Sequence, residues 1–268
     1  MRPELRAEWR KVTTTRLAWV LIIVSMVYSV MQVATLVLIS APGIMEGLGG
    51  VPVDESGSML LDPEFITTLL SQTGTASTFV LLLGIIAMTG EFRHMTITST
   101  FLATPRRGRV LVAKMLLFGA IGVAVAVLTL GTVVVTTVVA LLPFDHAPVT
   151  LGTIVTVLVG AAIGLALFAV LGVSLGSVIT NQVAAIVIAL LWVLLIEPLI
   201  GLAFPDVGRW LPGGALNAAM DVGLRADLTG GLTSADPLPA WGGMLVLLGY
   251  AIVLAAIGSR TTLRRDIT

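Results

Sequence analysis

Residues 110–142 read VLVAKMLLFGAIGVAVAVLTLGTVVVTTVVALL, and Lys114 is the one charged residue among them. A helix needs about 20 residues to cross a hydrocarbon core, so this stretch is long enough to span a membrane. Together with five similar stretches it predicts six spans, at 17–39, 66–90, 110–142, 150–180, 183–204 and 241–260. The chain is 57% hydrophobic and 11% charged. Because unpaired backbone is costly in lipid and these runs lack strand-like alternation, we predict an all-α integral membrane protein.

Basic residues collect on one side of the predicted membrane. They precede the first span, separate the second from the third and follow the sixth, whereas only Arg209 and Arg225 fall on the other side. By the positive-inside rule, we expect a multi-pass protein of the cell inner (cytoplasmic) membrane with both termini in the cytoplasm. Most acidic residues fall on the outer side, so the zero net charge conceals a separation of charge across the membrane.

The predicted outer segments are short. Residues 40–64 and 205–240 offer too little chain for a folded extracytoplasmic domain. Within the second segment, WLPGGALNAAMDVGL at 210–224 mixes apolar residues with a Pro-Gly-Gly break. Irregular backbone at membrane depth is tolerated only where protein or water shields it, so we predict a partly re-entrant element at the outer interface.

Several kinds of chemistry are not expected in this chain. It has no cysteine, and we predict no metal site, no catalytic residue and no nucleic acid partner. It also has no G-x-x-x-x-G-K-[ST] phosphate loop, so we expect no ATPase site. The GVSLG sequence around Ser174 matches G-x-S-x-G, but it lies inside an apolar helix rather than on a strand-to-helix turn.

The N-terminal residues 1–16 are predicted to form an amphipathic entry helix. Leu5, Trp9 and Val12 fall at i, i+4 and i+7, and charged residues including Arg10 occupy the rest of the wheel. Such a helix should lie in the inner membrane interface. The alternative is a frayed basic tail that only fixes the topology.

The stretch EFRHMTITSTFLATPRRGRVLVAKM, residues 91–115, gathers charge and a proline between two spans. Glu91 is placed to begin a short helix, where an acid is favourable, and Pro105 is typical of a first helical residue. The arginines that follow are Arg106, Arg107 and Arg109. They crowd a helix N-terminus, where the macrodipole disfavours cations. Either anionic lipid headgroups or an acidic or polar partner surface would favour them.

These features together resemble the permease subunit of an ABC transporter of the type-2 exporter family. The resemblance covers the layout of the whole chain, as one permease domain over 1–268, and its most specific part is residues 91–114. In such permeases the entry helix and the short cytoplasmic helix, here within the coupling segment 91–109, receive the ATPase subunit. One departure concerns Met95, which stands where the family often has glycine.

The resemblance implies a set of ATPase-coupling residues and partners. The positions carried over are Glu91, Phe92, Arg93, Thr96, Phe101, Pro105, Arg106, Arg109 and Lys114. The implied partners are two copies of a cytoplasmic ABC ATPase, which would bind ATP and Mg, and a second copy of this permease or a related one. The implied activity is export, and the sparsely charged spans favour a hydrophobic or amphipathic substrate such as a drug, an antibiotic peptide or a lipid-like molecule.

A few polar residues within the spans are candidates for a substrate path. They are Gln32, Gln72, Thr73 and Glu197. Gln32, Gln72 and Thr73 could instead form hydrogen bonds that pack the helices together. Glu197 could instead be an acid at the membrane interface, beside a helix kink at Pro198. The glycines of the fourth span similarly allow either packing within one chain or a dimer seam. Two other functions stay open: an ion-coupled secondary transporter using Glu197, and a non-transporting membrane immunity or assembly protein.

Overall fold

A computed structural model describes residues 2–40, 59–94, 107–220 and 238–261 of the protein. Regular structure in these ranges is helical, without a strand, and six of the helices are long and apolar enough to cross a membrane. For the residues that the structure describes, these helices confirm the prediction of an all-α, multi-pass membrane protein.

The six spans correspond one to one to the predicted apolar stretches, but span 2 continues through Arg93, so the prediction that Glu91 begins a new helix is wrong. Their bounds are Arg16–Ser40 for span 1, Pro63–Arg93 for span 2, Arg107–Leu141 for span 3, Leu151–Val178 for span 4, Gln182–Ala203 for span 5 and Ala240–Thr261 for span 6. The entry helix occupies Arg2–Thr14, directly before span 1. Two short helices follow span 5, at Pro205–Gly208 and at Pro212–Ala219, and we call the second one the PGG helix.

Side-chain caps explain where three of the spans begin. The Asp62 carboxylate accepts a hydrogen bond from the Glu64 amide at the start of span 2. The Thr150 hydroxyl and the Asn181 side chain accept backbone hydrogen bonds in the same way at the starts of spans 4 and 5. Each cap satisfies an amide that the helix itself leaves without a partner.

Spans 2 and 5 depart from regular α-helix near their middles. Span 2 contains a 3₁₀ turn over Gln72–Ala76, and span 5 contains a π-helical turn over Trp192–Ile196. Pro198 lies just after the π-helical turn, and a proline removes a backbone donor and crowds the preceding turn. The wider turn therefore lies where the proline disturbs the helix.

Span 4 is the central helix of the bundle and packs against spans 2, 3 and 6. Its glycines allow close approach: a Cβ on Gly172 would overlap the carbonyl oxygen of Leu81 on span 2, and a Cβ on Gly176 would lie 2.9 Å from the Met88 Cβ. Gly160 and Gly164 approach the PGG helix in the same way. Of the two interpretations of this glycine stripe, the structure shows packing within one chain.

Candidate functional site

Four charged side chains meet where spans 1 and 3 begin and span 2 ends. Glu8 and Lys11 come from the entry helix, Glu91 from the last turn of span 2, and Lys114 from the early part of span 3. Lys114 Nζ contacts Glu8 Oε2 and lies 3.1 Å from Glu91 Oε1. Lys11 Nζ lies 2.6 Å from Glu8 Oε1 and 2.8 Å from Glu91 Oε1. Each ammonium therefore donates to both carboxylates, and we call these four residues the ion cluster.

Most of the ion cluster is buried. The exposed fraction of the side chain is 1% for Lys114, 6% for Glu8 and 7% for Glu91, against 49% for Lys11. The Lys114 ammonium also donates to the Ala87 carbonyl oxygen at 3.3 Å, so each of its three N–H groups has an acceptor. Removing a charge from water is costly unless it is paired and hydrogen-bonded, and this geometry meets both conditions.

The spacing of the entry helix explains how Glu8 reaches this position. Leu5, Glu8 and Val12 lie three and four residues apart, so they share one face of the helix. Leu5 and Val12 pack against the hydrophobic core of the bundle, and Glu8 is buried between them. Trp9 is 52% exposed and Arg10 is also exposed. The face that packs on the spans is therefore the one that carries Glu8.

Charge pairing sets the pKa values of the two entry-helix residues. Burial alone would raise the pKa of Glu8, but the charge of Lys114 and hydrogen bonds from Lys11 and Lys114 hold it below its ordinary value. Burial would lower the pKa of Lys11, and hydrogen bonds to Glu8 and Glu91 outweigh it and raise that pKa. Both groups are therefore charged near neutral pH.

The structure locates some of the predicted coupling residues and not others. Glu91 and Lys114 lie in the ion cluster, and Phe92 is partly buried against the core. Arg93 and Arg109 are exposed, and Arg93 Nη1 donates to Gln182 Oε1 at 3.1 Å. Outside the described residues lie Thr96, Phe101, Pro105 and Arg106, together with most of the predicted coupling segment.

A cleft of about 690 Å³ opens beside the ion cluster. Its charged boundary includes all four residues of the cluster and Arg93, and its apolar wall comes from the beginning of span 1, the end of span 2 and the early part of span 3. The apolar residues that line it include Val12, Leu17, Leu83, Ile86 and Phe118. The cleft thus joins an apolar wall to a charged mouth at one end of the bundle.

Glu197 lies apart from this cleft, on span 5, and is 9% exposed. Its carboxylate accepts a hydrogen bond from the Gly213 amide at the beginning of the PGG helix. A carboxylate at a helix N-terminus satisfies amides that would otherwise lack partners. Glu197 therefore has a structural role in fastening the PGG helix to span 5.

The polar residues predicted for a substrate path lie on three different spans. Thr73 is fully buried in the 3₁₀ turn of span 2, and its hydroxyl donates to the Leu70 carbonyl oxygen at 2.7 Å. Gln72 is half-buried and donates to the Thr68 carbonyl oxygen at 3.2 Å. Gln32 is half-buried on span 1. The hydrogen bonds of Gln72 and Thr73 stay within their own span.

Sequence reasoning missed Glu8 and Lys11 as members of a site. Helical periodicity groups Glu8 with the charged residues on the rest of the wheel, although it falls between Leu5 and Val12 in the sequence. The available signal was Lys114, a single cation inside an apolar span, because such a charge requires an acidic partner nearby. No known family model matches this chain, and no curated protein sequence matches it.

Proposed function

We propose that this chain is the permease subunit of an ATP-driven ABC exporter of the type-2 family. A separate cytoplasmic ATPase supplies the energy, and the spans form a path for a hydrophobic or amphipathic substrate. The observation that carries the proposal is the ion cluster, which fastens the entry helix to the end of span 2 and to the early part of span 3.

The ion cluster supports this function for a mechanical reason. An ATPase that pushes on the segment between spans 2 and 3 can move the bundle only if those span ends are stiffly joined. Lys114 bridges Glu91 on span 2 and Glu8 on the entry helix, so displacement of one element displaces the others. Packed interiors respond to such a displacement by switching between discrete arrangements rather than by bending continuously.

The assembly that follows from this proposal has four subunits. Two ATPase copies lie beneath two permease copies, and the second permease is either this chain or a related one. ATP and Mg bind to the ATPase partner. The substrate class follows from the sparsely charged spans, which favour drugs, antibiotic peptides or lipid-like molecules over strongly charged cargo.

Two other functions compete with this proposal. An ion-coupled secondary transporter would need a titratable group within the membrane, and Glu197 is the acid that the apolar part of the six spans offers. Its engagement with the PGG helix gives Glu197 a structural role that does not require ion coupling. A non-transporting immunity or assembly protein accounts for the six spans but gives no reason for a buried ion cluster.

The proposal is tested by purifying the protein from its native membrane in mild detergent and identifying its companions by mass spectrometry. A companion present in a fixed ratio that carries a G-x-x-x-x-G-K-[ST] phosphate loop supports the permease assignment. A protein that purifies alone and produces substrate-dependent proton or sodium currents in liposomes supports the ion-coupled carrier instead.

A further inference from the structure

We propose that the cleft beside the ion cluster binds an acidic phospholipid from the leaflet on that side of the membrane. The phosphate group would lie at the mouth of the cleft, near Arg93 and Lys11, and the first acyl carbons along its apolar wall. This site is additional to the proposed transport function and does not depend on it.

The position of the cleft suits a lipid. Leu17 lies in the first turn of span 1, whereas Leu83 and Ile86 lie in the last three turns of span 2. The cleft therefore begins at the ends of the spans and continues toward the apolar interior of the bundle. A phospholipid has the same polarity profile, with a charged headgroup followed by apolar chains.

The donors at the mouth suit a phosphate. Two of the three Lys11 ammonium protons point to Glu8 and Glu91, and half of that side chain is exposed. The third proton is thus available to a further acceptor. Arg93 is exposed, and a guanidinium presents five N–H donors in a planar fork that matches phosphate geometry.

Charge complementarity selects an acidic lipid over a zwitterionic one. The ion cluster contributes two positive and two negative charges to the boundary of the cleft. Arg93 adds a positive charge, and its partner Gln182 is neutral. Among the described residues, no carboxylate pairs with Arg93. The net charge of the described lining residues is therefore positive, which favours a headgroup that carries a net negative charge.

The test is native mass spectrometry of the purified protein titrated with phosphatidylglycerol or with phosphatidylcholine of the same acyl chains. We expect tighter retention of phosphatidylglycerol, and Arg93→Gln should weaken that retention about five-fold. Arg109→Gln is the matched control, because Arg109 is exposed at the same end of the bundle but does not line the cleft. That variant should retain phosphatidylglycerol as the wild type does.

A second variant tests the apolar wall of the cleft. Gly90 lines the cleft, and a Cβ at this position would meet no atom within 4 Å. Gly90→Leu should therefore fill the cleft without a clash and weaken phosphatidylglycerol retention. Equal retention of both lipids by the wild type, or equal losses in Arg93→Gln and Arg109→Gln, would overturn the proposal. Displacement of the lipid by millimolar inorganic phosphate would also overturn it, because the site would then recognise phosphate alone.

Discussion

The buried ammonium of Lys114 on span 3 donates a hydrogen bond to the Glu8 carboxylate on the entry helix, although the two residues are 106 positions apart in the chain. This contact joins a helix outside the predicted spans to the interior of the bundle. The entry helix is therefore held against the bundle by a charged contact as well as by the packing of Leu5 and Val12.

Replacing Lys114 by methionine should destabilise the protein strongly. The variant keeps the length of the side chain but leaves Glu8 and Glu91 buried with Lys11 as their remaining partner within the ion cluster. Removing one partner of a buried ion pair costs about 3–5 kcal/mol. In a chain of this size we expect Tm, followed by tryptophan fluorescence in detergent, to fall by about 10 °C. Arg109→Met removes an exposed cation from the same span and serves as the control, and equal Tm values for the two variants would contradict the buried pairing.

The stability of the folded protein should decrease in acid as Glu8 becomes protonated. The folded-state pKa of Glu8 is lowered, so its stabilising effect is present above the unfolded pKa and is lost as the pH falls through the folded pKa. The Tm difference between the wild type and Glu8→Gln should therefore be largest near neutral pH and shrink below about pH 4.5. A difference that is constant from pH 7 to pH 3.5 would exclude this role for Glu8.

The contribution of Lys11 to stability should show the opposite pH dependence and be lost at high pH. The folded-state pKa of Lys11 is raised, so its contribution is present below the unfolded pKa and is lost as the pH rises through the folded pKa. The Tm advantage of the wild type over Lys11→Gln should thus persist at neutral pH and shrink only above about pH 10.5. Loss of that advantage already at pH 8 would show that Lys11 does not have its predicted partners.

Close packing between spans 2 and 4 predicts a sharp difference between two glycine substitutions. Gly172→Leu would place a side chain against the backbone of Leu81, whereas a Cβ on Gly131 of span 3 meets no atom within 4 Å. Gly172→Leu should lower the yield of folded protein in size-exclusion chromatography, because neither backbone can move away easily. Gly131→Leu should behave as the wild type, and similar yields for both variants would contradict the packing.

Glu197 should tolerate glutamine better than alanine. Glutamine retains an oxygen that can accept the hydrogen bond from Gly213, whereas alanine leaves that amide without its partner. Glu197→Ala should therefore destabilise the protein by about 1–3 kcal/mol more than Glu197→Gln, measured by thermal unfolding. If both variants keep wild-type stability but abolish substrate-dependent ion currents, Glu197 acts in ion coupling instead.

The sequence predicts the spans better than the contacts between them. Span 3 is identified by length and apolarity alone, because a lipid environment leaves the backbone few alternatives to a helix. The burial of Glu8 was not predicted, because helical periodicity assigns a residue to a face but does not say what covers that face. A role for Lys114 is implied only by the family resemblance, and its pairing with Glu8 depends on two elements that are far apart in the chain.

The role of Glu197 was also undecided at the sequence level. Its place near Pro198 is compatible with an interfacial acid or with a substrate contact. Neither interpretation indicates that the Glu197 carboxylate lies beside the PGG helix. The hydrogen bond from Gly213 depends on how the chain returns after span 5. The path of the chain after span 5 is determined by tertiary packing rather than by local sequence.

The most direct test of the central claim is the ratio of ATPase subunit to permease in protein purified from its native membrane, measured by quantitative mass spectrometry. The permease assignment predicts a fixed one-to-one ratio for the wild type. It also predicts a clearly lower ratio, or ATP hydrolysis without transport, for the Glu91→Ala and Arg106→Ala variants, both of which should insert normally into the membrane. A wild-type protein that purifies without any ATPase subunit, or variants that keep both wild-type transport and the wild-type ratio, would contradict it.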